Sequence, residues 1–333
     1  MRYCVIGAGA MGGLYGLRLA AKGHSVDFLD VNQDHVDAIN RGGFRLSGVT
    51  GDNTYPVKAM TDAESLAGTA DIVLFHPHTT GTAAAATSAS VVLKPDGWAV
   101  TLQNGIGNVE ALVDALGEAR VVGGISYHSA AMADLAHSLH TNAGATYLGE
   151  LGGGGSPRVE ALAASLHDAG FEPEIAPDII SVIWSKFVHN CAINAICAVS
   201  GMRGGEVVRH EAANALQSHI LEEVMAVVAA KGITLTNSDP VSYIKAHTFL
   251  RFNKPSMQQH MEAARPTEID SLNGALVREA KALGVPVPFN EALTLMVKAR
   301  EWAMAEAASG IVRDYAAMEA EAEKEAAARG ELV

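Results

Sequence analysis

The sequence predicts an α/β chain in two parts, a doubly wound, mostly parallel sheet followed by an all-helical half. Three observations carry this. A short apolar strand, Arg2 to Ile6, runs straight into Gly7-Ala8-Gly9-Ala10-Met11-Gly12 and then a helical pattern, the context in which G-x-G-x-x-G is informative. Strand and helix signals then alternate as far as Ile175, as a doubly wound sheet requires. From Asp178 onward strand signals fade and long amphipathic patterns take over. A boundary near Pro177 divides the 333 residues into 1–176 and 177–333, enough chain for two cores.

In the glycine loop, Gly7 permits a tight turn, Gly9 lets the backbone approach a pyrophosphate, and Gly12 allows helix to pack closely on strand. The whole loop, with Ala8, Ala10 and Met11, reads as cofactor-binding, because the helix start supplies an anion site. A second strand at residues 25–29 ends in Asp30, where an acid accepts hydrogen bonds from ribose hydroxyls. Residues 31–36 hold no Arg or Lys to receive a 2′-phosphate. NAD is therefore the expected cofactor and NADP the alternative. Further strands are expected at 71–75, 97–102, 120–124, 145–149 and 171–175. Strand ends line the ligand crevice of such sheets, so His76-Pro77-His78 and Gln103-Asn104-Gly105 are candidate site loops. His78 would contact cofactor, and Asn104 cofactor or substrate, although Asn-Gly also forms turns for steric reasons alone. His128 reads as a satisfied core histidine. The glycine run 152–155 is a flexible turn before a helix at 158–169.

The helical half is expected to comprise helices at 178–199, 211–231, 240–250, 267–282 and 290–308. In the first of these, Trp184 to Asn194, residues Lys186, Asn190 and Asn194 recur every four positions and share one stripe. The flanks are apolar, so the helix should be buried. A buried lysine without a partner has a depressed pKa; either an acid faces it, or it does chemistry, or it snorkels to water. Downstream stand Asn253, Ser256 and His260, then Thr267-Glu268-Ile269-Asp270, which resembles a capping box with Thr267 as cap. Glu268 would complement a helix dipole or partner Lys186. Residues 314–329, rich in Ala and Glu, read as a solvated terminal helix.

Composition narrows the function classes. Hydrophobic content of 49% with 18% charged residues describes a globular protein. A net charge of −13 without basic clusters excludes nucleic acid and anionic membrane as expected partners, leaving a small molecule. Cys4, Cys191 and Cys197 lie in apolar stretches without metal-ligand spacing, so no metal site is expected and a reducing cytoplasm fits. Met1 is followed at once by a strand, which leaves no room for a signal peptide. Apolar runs of ~18 residues free of charge are lacking, so no membrane span is expected.

The combined pattern of G-A-G-A-M-G, Q-N-G, W-S-K-F-V-H-N-C-A-I-N, N-K-P-S-M and T-E-I-D-S-L-N-G resembles the ketopantoate reductase (2-dehydropantoate 2-reductase) family along essentially the whole chain. The resemblance implies a Rossmann domain joined to a helical domain like that of 6-phosphogluconate dehydrogenase relatives, and reduction of a 2-oxo acid by nicotinamide hydride. It implies that Lys186 is catalytic and Glu268 supports it, that Asn190, Asn194, Asn253 and Ser256 bind polar groups of the substrate, and that Asn104 lies near nicotinamide and substrate. A homodimer is the assembly it suggests. Two departures stand out: His78 replaces a cofactor-proximal lysine, and His260 replaces an acid. Together with Asp30 they point to a second possibility, an NAD-dependent D-2-hydroxy acid dehydrogenase with another bulky substrate. A non-catalytic dinucleotide sensor is a third, opposed by the presence of both Lys186 and Glu268.

Overall fold

Strand β1 (Arg2–Ile6) sits at the centre of the architecture, with every later strand of its sheet placed by reference to it. The computed structural model describes residues 1–77 and 81–329. After β1 come α1 (Ala10–Ala20), β2 (Ser25–Leu29), α2 (Gln33–Gly42), β3 (Phe44–Gly48), β4 (Asn53–Tyr55), β5 (Lys58–Met60) and β6 (Ala70–Phe75). Next are α3 (Thr82–Val92), β7 (Leu93–Thr101), α4 (Asn108–Leu116), β8 (Val121–Ser126), β9 (Ser129–Asp134), β10 (His137–Asn142), β11 (Thr146–Glu150), α5 (Pro157–Asp168) and β12 (Pro173–Ile175).

The main sheet has the order β12-β11-β8-β7-β6-β1-β2-β5. Cys4 pairs in parallel with Asp27 on one side and Val73 on the other; β11 pairs antiparallel with β8 and parallel with β12, so these two strands run opposite to the rest. Strands β1 and β6 are almost wholly buried, which is why they read as continuous apolar runs rather than alternating ones. The order of succession reverses between β1 and β6, with β2 and β5 on one side and β7 and β8 on the other, and in an open sheet that switch point is where a ligand sits. The backbone closes it: Gly7 N–H donates to the Leu29 carbonyl and His76 N–H to the Ile6 carbonyl, both at 2.8 Å.

A second sheet, β4-β3-β10-β9, was not expected from the sequence. Its strands are short and partly polar, and β3 joins β10 in parallel across some ninety residues, Arg45 opposite His137; local pattern cannot report such a pairing. It covers the outer face of α1. A Cβ on Gly13 would lie 2.7 Å from the Phe44 ring and 3.0 Å from Ser138, so this glycine lets helix and sheet approach.

The second half consists of α6 (Ile179–Ser200), α7 (Gly204–Arg209), α8 (Glu211–Ala230), α9 (Pro240–Phe249), α10 (Ser256–Glu262), α11 (Asn273–Leu283), α12 (Pro288–Ala308) and α13 (Tyr315–Arg329). The sheet ends at Ile175 and α6 begins at Ile179; we propose the domain boundary between them. Asp178 caps α6 by accepting from Ser181 N–H at 3.0 Å, and Gly201, at φ +77°, ends it. By length and composition alone α6 is apolar enough to cross a bilayer, but Lys186 interrupts its apolar run and it is mostly buried, as the spine of the helical core. Trp184, Phe187, Cys191 and Ile196 pack with Val224, Met257, Leu276 and Val297. The helix expected from Thr267 to Ala282 is broken: Ile269–Ser271 form a short 3-10 turn, Leu272 interrupts, and α11 starts at Asn273. Thr267 Oγ accepts from Ile269 N–H at 3.2 Å, too close in sequence for the capping box.

One buried polar network ties four of these helices together. Glu223 of α8 accepts from Phe289 N–H (2.8 Å) and Asn290 N–H (2.9 Å), capping α12, and from the Asn290 carboxamide (2.7 Å). Asn273 donates to Asn290 (2.9 Å) and to the Cys191 carbonyl of α6 (3.1 Å). Removing the carboxylate takes the acceptor from three donors, two of them in buried bonds, and an unsatisfied buried donor costs ~1–3 kcal/mol. Glu223→Ala should lower unfolding free energy by ~3 kcal/mol or more in urea titration, with Glu223→Gln milder; a loss below ~0.5 kcal/mol would contradict this role.

Candidate active site

The glycine loop has the geometry an anion site needs. Gly7 sits at φ +93°, and a Cβ there would meet the His76 carbonyl oxygen at 2.3 Å. A Cβ on Gly12 would fall 1.9 Å from the Gly7 carbonyl oxygen and 3.0 Å from Val5, so this position closes the turn and seats α1 on β1. Gly9 has nothing within 4 Å of its would-be Cβ. Gly9 is the N-cap of α1 without any side-chain cap, which leaves the N–H groups around Ala10 and Met11 for a ligand. Open space plus uncapped donors fits the pyrophosphate of a dinucleotide.

Asp30 closes β2 as expected and does a second job. Its Oδ2 accepts from Ala8 N–H (2.7 Å) and its Oδ1 from Asn32 N–H (2.9 Å), so the carboxylate braces the glycine loop. His35, which the sequence did not single out, holds the other side. The buried ring places Nε2 2.8 Å from the Ala8 carbonyl, while Nδ1 accepts from Ala136 N–H at 3.0 Å. That fixes the tautomer with the proton on Nε2. Nothing local announces this role, because Ala136 is a hundred residues away.

Lys186 projects from α6 to the end of β8. Its ammonium donates to the Ser126 carbonyl and lies 4.5 Å from the centre of the Tyr127 ring. Burial pushes its pKa down to about 7. The side chain keeps some solvent contact, but protein surrounds the nitrogen, and it is the nitrogen's hydration that sets the shift. Ser126 is itself fixed: its hydroxyl accepts from Tyr15 (2.8 Å) and from His128 N–H (3.2 Å). His128 is satisfied on one side only. Nδ1 takes Gly144 N–H at 3.3 Å and lies 3.1 Å from His140 Nε2, whereas Nε2 is buried without a partner. Burial, with His140 and Lys186 adding, pushes it down to about 4.

On the same helix Asn194 is 6% exposed and Asn190 half-buried, and neither carboxamide bonds to another described residue. Carboxamides that make no bond within the protein are free to meet a ligand. Ser256 opens α10, and Asn253 is exposed in the loop before it. Asn104 is held by its carbonyl, which accepts from Asn108 at 3.1 Å, so its side chain is unspent. Gly105 is more than a turn residue: at φ +87° its would-be Cβ falls 2.2 Å from the Ser271 carbonyl oxygen, where Ile106 N–H also points. The Gln103-Asn104-Gly105 loop thus docks on the Glu268–Ser271 turn, while Gln103 reaches back to the Pro77 carbonyl at 2.7 Å. His78 lies outside the described residues.

Glu268 does not face Lys186. Its carboxylate stands 3.5 Å from His260 Nδ1 of α10, and the shift at Lys186 arises from burial without any contribution from an acid. The break in the helix is the physical reason, since the 3-10 turn that follows Glu268 leaves its carboxylate beside α10. His260 is pushed up by this carboxylate against the opposing effect of burial.

A glycine-rich loop at the switch point of one half, and a buried lysine delivered to the same strand ends by the first helix of the other, fit the class of dinucleotide-dependent oxidoreductases. Comparison with known proteins narrows the class. The model of ketopantoate reductase PanE/ApbA matches residues 3–153, and that of its C-terminal domain matches 178–301. A 2-dehydropantoate 2-reductase of Archaeoglobus fulgidus is 30% identical over 90% of this chain and 98% of its own. The crystal structure of a PanE/ApbA family ketopantoate reductase from Ralstonia eutropha superposes with TM-score 0.82 at 32% identity, covering 91% of this chain and 99% of that one. A D-mandelate dehydrogenase with NADH and anilino(oxo)acetate shares the fold at TM-score 0.81, 24% identity and the same coverage. The chain belongs to the ketopantoate reductase family and is an oxidoreductase acting on a CH–OH group.

The glycine geometry separates fold from binding. Gly12→Ala should destabilise the protein and abolish dinucleotide binding together. Gly9→Ala should leave the melting temperature nearly unchanged while raising the Kd for NADH by roughly tenfold or more, read by fluorescence titration. Unaltered affinity in a folded Gly9→Ala protein would rule out the loop as the pyrophosphate site.

Proposed function

We propose that this protein reduces a 2-oxo acid to the 2-hydroxy acid, as a nicotinamide-dependent reductase of the 2-dehydropantoate 2-reductase type, with Lys186 as general acid. The observation that carries this reading is Lys186 itself: an amine desolvated to a pKa of about 7, at the strand ends, above a stripe of uncommitted carboxamides. A general acid works best with its pKa near the working pH.

The loop of Gly7, Ala8, Gly9, Ala10, Met11 and Gly12 would hold the pyrophosphate, and Asp30 the ribose hydroxyls, with NAD favoured because Asp30 repels a 2′-phosphate. When bound, the reduced cofactor supplies hydride. As the carbonyl carbon is reduced, negative charge grows on its oxygen. Lys186 Nζ, already a donor to a carbonyl in this structure, turns to that oxygen and gives it a proton, an effect worth ~100- to ~10,000-fold. Asn190, Asn194, Asn253, Ser256 and Asn104 bond the carboxylate and other polar groups, and their contribution is orientation. Glu268 acts through His260 as a positioning residue.

A specific observation favours a second reading, a D-2-hydroxy acid dehydrogenase for a substrate other than 2-dehydropantoate. His260, with Nδ1 3.5 Å from the Glu268 carboxylate, stands where the family pattern has an acid, which changes the side-chain polarity the pocket accepts.

Lys186→Ala should lower kcat for 2-oxo acid reduction by ~100- to ~10,000-fold and leave the Kd for NADH within about twofold, because the lysine touches the reacting oxygen and not the loop. Equal turnover would sink the assignment.

A further inference from the structure

Two aromatic pairs, one from each half, lie on either side of the Lys186 stretch of α6: Tyr127 with Tyr147, and Tyr243 with the His247 that meets His189. Tyr127, just past β8, carries that nitrogen 4.5 Å above its ring. Tyr147 of β11 meets Tyr127 edge to face at 5.9 Å. Burial pushes the Tyr127 hydroxyl up to about 12, and the Tyr147 and Tyr243 hydroxyls close by add to the shift. Tyr243 belongs to α9 of the helical half and stacks on His247 at 6.0 Å. His247 in turn meets His189 at 5.3 Å, and His189 directly precedes Asn190 on α6. Tyr127 and Tyr243 are 42% and 54% exposed, so these rings present faces outward rather than filling a core.

The geometry constrains what can bind. A carbonyl oxygen accepting from Lys186 lies ~2.8 Å from Nζ, which puts the carbonyl carbon at most ~8.5 Å from the centre of the Tyr127 ring. That is short enough for a ring-sized substituent on the carbon to reach the Tyr127 face. Large, rigid ring faces pair best with another ring, edge to face or offset.

We propose that this wall, Tyr127, Tyr147 and Tyr243 with His247, selects a 2-oxo acid bearing an aromatic ring next to its carbonyl. This rests on the reductase reading above and sharpens its second form, by naming the side chain. The chemistry balances as before: the carbonyl carbon gains hydride, the oxygen gains the Lys186 proton, and the ring is untouched.

The test is steady-state reduction of phenylglyoxylate, 2-oxoisovalerate and 2-dehydropantoate by the full-length protein and its Tyr243→Leu and Tyr127→Leu variants, alongside calorimetric binding of the same acids. A pocket matched to the larger apolar group discriminates by roughly 10- to 200-fold. Phenylglyoxylate should exceed both aliphatic acids in kcat/KM by at least about tenfold, and Tyr243→Leu should collapse that ratio, mainly through KM. A higher kcat/KM for either aliphatic acid, or a ratio unmoved by both variants, overturns the proposal. If no 2-oxo acid is reduced, the reductase reading fails separately. Binding then decides the wall: tighter phenylglyoxylate binding that Tyr243→Leu removes supports it, and equal binding of all three acids overturns it.

Discussion

Lys186 gives up hydration to reach the strand ends, and the rest of the molecule is arranged so that this is tolerable. An unpaired ammonium in protein is costly, and a lysine in that position responds by losing affinity for its proton. Here one carbonyl and one aromatic face replace water. Neither carries full negative charge, so the amine stays poised between its two forms. A carboxylate at the same distance would restore a high pKa and make the lysine a salt-bridge partner. The placement of Glu268 on His260 is therefore part of the same device.

The poise depends on two braces. In the sheet half, the Tyr15 hydroxyl, Ser126 and Thr146 lock the ends of β8 and β11 together, and that is what fixes the carbonyl Lys186 meets. In the helical half, the Glu223, Asn290 and Asn273 network reaches the Cys191 carbonyl, pinning α6 one turn beyond the lysine. The contact of Gly105 with Ser271 joins the halves directly. Because buried polar networks act as units, distortion at either brace is transmitted to the lysine.

Much of this was legible in the sequence, and the failures have physical reasons. Glycines at 7, 9 and 12 carry backbone demands that are local, so the turn, the helix start and the open space at Gly9 could be read directly. The four-residue spacing of Lys186, Asn190 and Asn194 is equally local. The second sheet was missed because its registers join segments far apart, as Arg45 with His137 does. His35 was missed for the same reason. Glu268 was paired with the wrong partner because Thr267-Glu268-Ile269-Asp270 imitates a helix start, and only the break at Leu272 reveals that the acid points toward α10. For α6, composition alone would suit a bilayer; packing decides where such a helix lies, and here it lies in the helical core.

The most direct measurement is the pH dependence of kcat/KM for 2-oxo acid reduction, which reports the free enzyme's essential acid. With Lys186 pushed down to about 7, reduction requires the protonated form. The rate should be level below that pH and fall about tenfold per pH unit above it, while oxidation of the 2-hydroxy acid rises through the same range. A reduction profile level to pH 9, or a fall centred near the ordinary lysine value of ~10.4, would show that the ammonium is not the desolvated acid on which this site depends.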